Sequence, residues 1–505
     1  MERGHTDTMS FNSYLFLLVF LPLCLVIYFT LNRISQDQWA KIWLLGMSLW
    51  FYGYFHILYL LLLLFSICFN YILYRYFLKE DAPHRSRNWM FFGISCNLLL
   101  LFIFKYYDFF AENVNALFHT SIPLLHILLP LGISFFTFQQ ISFLADAWQG
   151  TAGNYSFLDY ALYVSFFPQL VAGPIVTHNE LIPQFQDPSK KRWNPDYFSR
   201  GCYCFTLGLS KKVLLADIFA KGVQYGFDNA AAINSTTALL SILAYTFEIY
   251  FDFSGYSDMA RGLGMMFNFE LPINFDSPYK EVHIVGFWKK WHITLTRFFT
   301  RYVYIPLGGN RKGSLRTYVN YLIIFSLSGL WHGANWTFVI WGLLHGIAFV
   351  VVRFILNHHR TSSLSGTVLI HLRNAGLWLI NFTFICIAFT FFRADSLTQA
   401  IQMLQAAGAM QFADGIPKAF ATAFQLPEFW YVLKVLHLTS FSFSNNILCI
   451  AYFLAAFFLI LFCKNVGEKA KQFKPTVFNA VACAFLLLWC VVSFSEVTTF
   501  IYYNF

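Results

Sequence analysis

The sequence predicts an all-α polytopic membrane protein, and three observations predict it. Apolar residues make up 58% of the 505-residue chain and charged residues only 12%, about half the charged fraction of an ordinary soluble domain. A water-facing surface cannot be built from so little charge at 58.6 kDa. Apolar stretches long enough to cross about 30 Å of hydrocarbon recur from end to end, and the interludes between them are short and basic, as in cytoplasmic loops. Disorder is excluded, because disordered chains are poor in aromatics and this one is 21% Phe, Trp and Tyr.

Taken in order, the candidate spans are 11–31, 41–55 with 57–77, 89–110, 121–144, 156–175, 201–216, 236–253, 318–352, 367–392, 447–463 and 477–495. They predict about ten to twelve membrane helices. The pieces 41–55 and 201–216 are short or polar-interrupted, which predicts one or two re-entrant segments covered by protein. The first run lacks a clear cleavage site and is followed by further spans, so it reads as a retained helix. Met9 is an alternative start that would leave Met1–Thr8 as a short extension. The basic loops 78–88, 186–200 and 464–474 are all expected on the cytoplasmic side. Residues 397–446 are weakly hydrophobic and read as an interfacial helical excursion, a candidate docking surface.

The net charge of +9 does not point to nucleic acid, because no basic face interleaved with stacking aromatics sits on a soluble module. Most of the ten cysteines lie inside apolar runs, where they act as small hydrophobes. Cys202 and Cys204 have no second pair to complete a metal site, and nothing argues for a disulfide framework.

The chemistry concentrates in residues 248–346. Within it, Phe287–Tyr304 (FWKKWHITLTRFFTRYVY) is basic and aromatic at helical spacing. Lys289, Lys290, Arg297 and Arg301 fit two readings equally: an interfacial helix with snorkelling cations, or a lid over a cytosolic pocket for an anionic ligand. From Arg316 to Arg353 no residue is ionised, a length too great for one perpendicular span at about 1.5 Å per residue. In its middle, SLSGLWHGANWTF sets Gly329 and Gly333 around His332, predicting a break or a close helix approach. An ionisable group at membrane depth is costly and is therefore a functional candidate. Histidine suits proton transfer because its unperturbed pKa lies near neutrality. On an unbroken helix His345 need not share the face of His332. No GxSxG elbow, HExxH motif, Walker A loop or strand-linked GxGxxG is present. His292 and His332 have no Cys or carboxylate at ligand spacing, so no metal is expected. General-base acyl transfer without a covalent enzyme intermediate fits these residues.

Several stretches resemble the membrane-bound O-acyltransferase (MBOAT) family, in its bacterial alginate and peptidoglycan O-acetyltransferase branch. They are Phe287–Tyr304, Ile305–Gly313 (IPLGGNRKG), Gly329–Trp336 (GLWHGANW), Leu129–Gly150, Phe166–Ile175, Gly208–Asp217 and Tyr250–Gly264, with Phe391–Ser396, Phe500–Phe505 and the first-span stretch Tyr14–Tyr28. The richness in Phe, 62 residues, is a departure with no functional account. The resemblance implies a ring of membrane helices with a central tunnel, organised as one domain over 1–505 with a catalytic core at about 125–350. Helices at 367–505 complete it. His332 matches the family's nearly invariant histidine, implying a general base. His292 matches its second, more variable partner, implying a group that orients a thioester carbonyl or stabilises an oxyanion.

Weaker binding positions carried over from the motifs are Trp288, Lys289, Lys290, Trp291, Arg297, Arg301, Asn310, Trp331, Asn335, Trp336, Asp252 and Tyr256. The branch implies a bacterial inner-membrane enzyme with no tightly bound cofactor. Acyl-CoA, acetyl-CoA foremost, or an acyl carrier protein would be the donor. A polysaccharide would be the acceptor and a periplasmic or membrane-anchored hydrolase-like protein the partner. D-alanyl transfer to teichoic acid is the nearest alternative, disfavoured by IPLGGNRKG. A polytopic transporter or flippase is disfavoured by the concentration of polar residues in one block.

Overall fold

The computed structural model describes residues 9–82, 85–358, 367–412, 415–425, 434–435, 444–496 and 500–501. The suggested extension Met1–Thr8, the end of the terminal motif and much of 397–446 lie outside them. The described residues are mostly helical, with no strand among them. Among the described residues, six helices are long and apolar enough to cross a membrane: Phe16–Arg33, Ile57–Leu78, Arg87–Phe118, Trp336–His358, Val368–Arg393 and Asn445–Phe462. Val477–Val492 is a shorter apolar helix.

That is fewer than the ten to twelve spans expected, and the reason is where the remaining helices sit. The centre is built from α1 (Ile133–Trp148), α2 (Pro195–Lys211), α3 (Ser235–Met266), α4 (Ile284–Lys290), α5 (Ile293–Phe299), α6 (Ser314–His332), α7 (Trp336–His358) and α8 (Thr367–Arg393). α1 and α3 are buried along almost their whole length. Surrounded by protein rather than lipid, they can carry polar groups that a lipid-facing helix could not. α2 and α3 approach backbone to backbone: a Cβ on Gly208 would meet the Gly255 carbonyl oxygen at 2.6 Å, and one on Gly262 would meet that of Gly201 at 2.7 Å. Small residues at such a crossing let membrane helices pack closely.

The irregular backbone falls elsewhere than expected. Residues 41–55 and 201–216 lie in well-formed helices. The run 156–175 is instead broken: a helix ends at Ser165, one turn follows over Phe167–Leu170, and non-helical chain continues to Thr177. Pro168 interrupts it, and its surroundings are almost wholly buried, so protein satisfies the freed backbone. In 121–144 only the part from Ile133 is helical, because Pro130 and Gly132, at φ +70°, set the start of α1.

The basic loops meet at one end of the molecule. Arg85 donates to the Trp148 carbonyl at 2.7 Å, Asn268 donates to the Lys190 carbonyl at 2.9 Å, and Asn465 donates to Asp276. At the opposite end Trp336 donates to Asn113 at 2.9 Å and Asn335 to the Asp395 carbonyl at 3.1 Å.

Candidate active site

α6 ends at His332 because the next residue, Gly333, is extended and its space is filled by the Phe338 ring, which a Cβ there would meet at 2.1 Å. α7 starts at Trp336 and returns alongside α6, with Gly329 and Gly342 in the crossing. The uncharged stretch is therefore a helical hairpin whose tip carries His332. Lys105, on the helix Arg87–Phe118, reaches this tip. Its Nζ donates to the carbonyls of Trp331 and, at 3.4 Å, His332, and to Ser134 Oγ at 3.3 Å. Tyr106 donates to the Leu330 carbonyl at 3.0 Å. The last carbonyls of a helix have no intrahelical partner, and an ammonium there meets both the orphan oxygens and the negative end of the dipole.

His292 arrives from a different element. It forms the turn between α4 and α5 at φ +45°, a left-handed conformation that costs about 1–3 kcal/mol away from glycine. The turn is held from below: Ile293 N–H donates to the Asn274 carbonyl and Asp276 N–H to the Lys290 carbonyl, both at 2.9 Å. Asn274 Oδ1 accepts from Thr294 N–H at 3.2 Å and from the Thr294 hydroxyl at 2.9 Å, and lies 3.1 Å from His292 Nδ1. An oxygen that accepts from a backbone amide fixes the partner nitrogen as a donor. Neutral His292 therefore carries its proton on Nδ1, and its Nε2 is an acceptor. The expected role as an oxyanion donor needs the imidazolium, so the neutral group suits receiving a proton instead.

The two imidazoles come together, with ring centroids 6.3 Å apart, and both are buried. Trp331 packs on His332 at 4.9 Å and Trp341 and Phe392 at 5.1 Å. His345, which on an unbroken helix need not share the face of His332, joins the same cluster, 4.9 Å from Trp341 by ring centroids. Arithmetic on an unbroken helix does not apply, because Gly333 ends α6 before α7 begins. Trp288 donates its indole N–H to His345 Nδ1 at 3.2 Å, and Trp291 packs beneath it against Phe287 and Phe389.

Two neighbours of His332, Trp331 and Phe392, each line a different cavity. One of about 730 Å³ is mostly apolar and extends from Arg87, Trp148 and Arg301, at the end bearing the basic loops, to Tyr106 and Trp331. The other, about 610 Å³, is polar and lined by Asp228, Glu248, Asn335, Phe392, Arg393 and Asp395 towards the opposite end.

The remaining predicted positions divide differently. Three of the four cations are ion-paired: Lys290 with Glu281 at 2.8 Å, Arg297 with Glu180 at 2.5 Å, and Arg301 with Asp146 at 2.8 Å. The hydrogen bond it donates to the Glu281 carboxylate holds the Lys290 ammonium above its usual pKa. Lys289 is exposed and has no ion-pair partner among the described residues. Asp252 pairs with the buried Lys212 at 2.7 Å and accepts from Ile501 N–H at 3.0 Å. Tyr256 packs between Phe11 and Phe500, and Asn310 is exposed in the turn after α5. Asn335 and Trp336 tie the hairpin tip to Asp395 and Asn113. No group of three or more His, Cys, Asp or Glu able to hold a metal occurs among the described residues.

The chain is 43% identical over 421 residues to "Peptidoglycan O-acetyltransferase" of Helicobacter pylori, covering 78% of this chain and 79% of that one. It is 37% identical over 406 residues to "Probable alginate O-acetylase AlgI" of Pseudomonas aeruginosa, covering 79% and 74%. Residues 149–393 match the description "MBOAT, membrane-bound O-acyltransferase family". The chain belongs to the membrane-bound O-acyltransferase family. Identity to "Teichoic acid D-alanyltransferase" of Streptococcus thermophilus is lower, 26% over 303 residues, covering 58% of this chain and 70% of that one. The protein is a membrane acyltransferase, and the expected all-α polytopic fold class and family resemblance hold.

Lys105 and Asn274 were missed in the sequence. A lone lysine inside the apolar run LLLLFIFKYY carries the same signal that singled out His332, an ionisable group at membrane depth. Asn274 has no such signal, because its role depends on the turn at His292.

Proposed function

We propose that this protein takes an acyl group, with acetyl favoured, from a cytosolic thioester and delivers it to a hydroxyl on the far side of the bacterial inner membrane, for O-acetylation of an exported or cell-wall polysaccharide. One observation carries this reading: His332 contacts Trp331, which lines the apolar cavity, and Phe392, which lines the polar one. The two cavities face opposite ends, and the end bearing the basic loops is cytoplasmic under the positive-inside rule. The apolar cavity suits the pantetheine-like arm of acetyl-CoA or an acyl carrier protein. The polar cavity, with carboxylates and Arg393, suits a polyhydroxylated acceptor or a residue of a periplasmic hydrolase-like partner. The names of the relatives support a polymer acceptor of the alginate or peptidoglycan kind.

His332 removes the acceptor hydroxyl proton as its oxygen attacks the thioester carbonyl. The C–O bond forms, the tetrahedral intermediate collapses, the C–S bond breaks, and the proton passes to the departing sulfur. A positioned base of this kind contributes about 10² to 10⁴ in rate. His292, held by Asn274, adds a second acceptor nitrogen beside it. Lys289 remains the one of the four cations suited to attracting the donor's phosphates.

Proteoliposomes test the reading. Acetyl-labelled acetyl-CoA is supplied to the face bearing residues 186–200, with alginate- or peptidoglycan-derived oligosaccharide and the partner protein on the other. Label covalently attached to oligosaccharide or partner on the far face is expected. Passage of intact donor, or of neither, would overturn it in favour of transport or a non-catalytic role.

A further inference from the structure

Burying an N–H donor without an acceptor costs about 1–3 kcal/mol, so such groups are few in folded proteins. Three of them gather around His332: the indole N–H groups of Trp331 and Trp341 and Nε2 of His345 have no hydrogen-bond partner among the described residues. All three side chains are at least nine-tenths buried. His345 is a donor there for a specific reason. Trp288 can only donate, so its bond to His345 Nδ1 leaves the neutral imidazole with its proton on Nε2. Trp341 and His345 are four residues apart on α7 and share a face, with ring centroids 4.9 Å apart, and the Trp341 ring lies 5.1 Å from that of His332. His292 offers an acceptor in its neutral form, so the negative oxygen of a tetrahedral intermediate needs donors from elsewhere.

We infer that Trp341 Nε1–H and His345 Nε2–H donate to the carbonyl oxygen of the bound thioester and to the oxyanion it becomes, with Trp288 as the positioning residue that sets the His345 tautomer. The inference rests on the acyl-transfer reading above. When the acceptor oxygen attacks the carbonyl carbon, the π electrons move onto the carbonyl oxygen, and the two donors hold the charge until the C–S bond breaks. Each donor lost from such a hole costs about 10²–10³ in kcat. Donors aimed at developing charge act on the transition state rather than on binding, so the donor's KM stays nearly constant.

The test uses the full chain in lipid nanodiscs and acetyl-CoA labelled with ¹³C at the carbonyl. In His332→Gln protein, where the bound thioester persists, its infrared carbonyl stretch should lie below that of free acetyl-CoA. Adding Trp341→Phe, which keeps the ring and removes the N–H, should return it towards the free value, as should adding His345→Leu. His345→Gln, which retains an N–H, should restore part of the shift. On the His332 background of the native chain, Trp341→Phe should lower kcat by about 10²-fold with little change in KM. A thioester that binds with a lowered stretch unmoved by either substitution overturns the inference and leaves the acyl-transfer reading standing. Absence of any bound thioester overturns both.

Discussion

Two buried polar regions of this protein look alike in the sequence and differ in the structure. Around α2 and α3, Lys212 meets Asp217 at 2.8 Å and Asp252 at 2.7 Å, and Lys211 meets Asp258 at 2.7 Å. Beside α1, Asp146 is shared by Arg301, the Tyr302 hydroxyl and His178. These charges answer one another, which is what a buried ion needs in order to be tolerated at all. At the α6–α7 tip the neighbours of His332 are aromatic and imidazole rings. Histidines and tryptophans gather there with donors that no described residue accepts, beside two cavities. Charges that pair with one another mark a structural brace; buried N–H donors left without an acceptor, next to residues that line cavities, mark a site.

The comparison can be broken first at the brace. Lys212→Met leaves Asp217 and Asp252 buried without their cation, and removing one partner of such a cluster costs about 3–5 kcal/mol. Detergent-solubilised protein should lose most of its monodisperse fraction and melt at clearly lower temperature, while the folded remainder turns over at the native rate. A well-folded variant with reduced turnover would move Lys212 from brace to site.

Lys105 lies between the two classes, since it braces the helix end that carries His332. Lys105→Met removes a charged hydrogen bond worth about 1.5–3 kcal/mol and should lower both thermal stability and kcat. A drop in stability alone would make it a brace only. Gly329→Ala forces a Cβ to within 2.3 Å of the Phe338 carbonyl oxygen, and overpacking of that kind costs about 1–3 kcal/mol. Its melting temperature should fall by less than that of Lys212→Met. The smallest effect belongs to the surface: Glu180→Gln releases the partly exposed Arg297 and should change stability by about 0–1 kcal/mol. If it also lowers the apparent KM for acetyl-CoA, the freed Arg297 is able to serve the donor.

What could be read in advance follows from how far each feature depends on contacts distant in the chain. Composition and apolar runs carry the fold class, because lipid acts on every exposed side chain alike. His332 stands out by local contrast alone, and its relation to His292 through motif resemblance. Span counting exceeds the six long apolar helices among the described residues because burial inside the protein, as for α3, is not a property of the run itself. Asp252 and Arg301 belong to stretches that resemble the family, yet the structure gives each a partner. Residues of such a stretch can be retained for folding as readily as for chemistry. The place of His345 beside this cluster was left open by the sequence, because Gly333 resets the helix phase. Asn274, eighteen residues before its histidine, could be found only once the chain was folded.

The most direct measurement of the central claim pairs His332→Gln with Lys212→Met in one assay of thioester cleavage coupled to acetyl transfer, with monodispersity and melting temperature followed in parallel. The account predicts that His332→Gln is as well folded as the native protein and slower by about 10² to 10⁴, whereas Lys212→Met is poorly folded and normal per folded molecule. A well-folded His332→Gln protein with turnover near that of the native chain would contradict it.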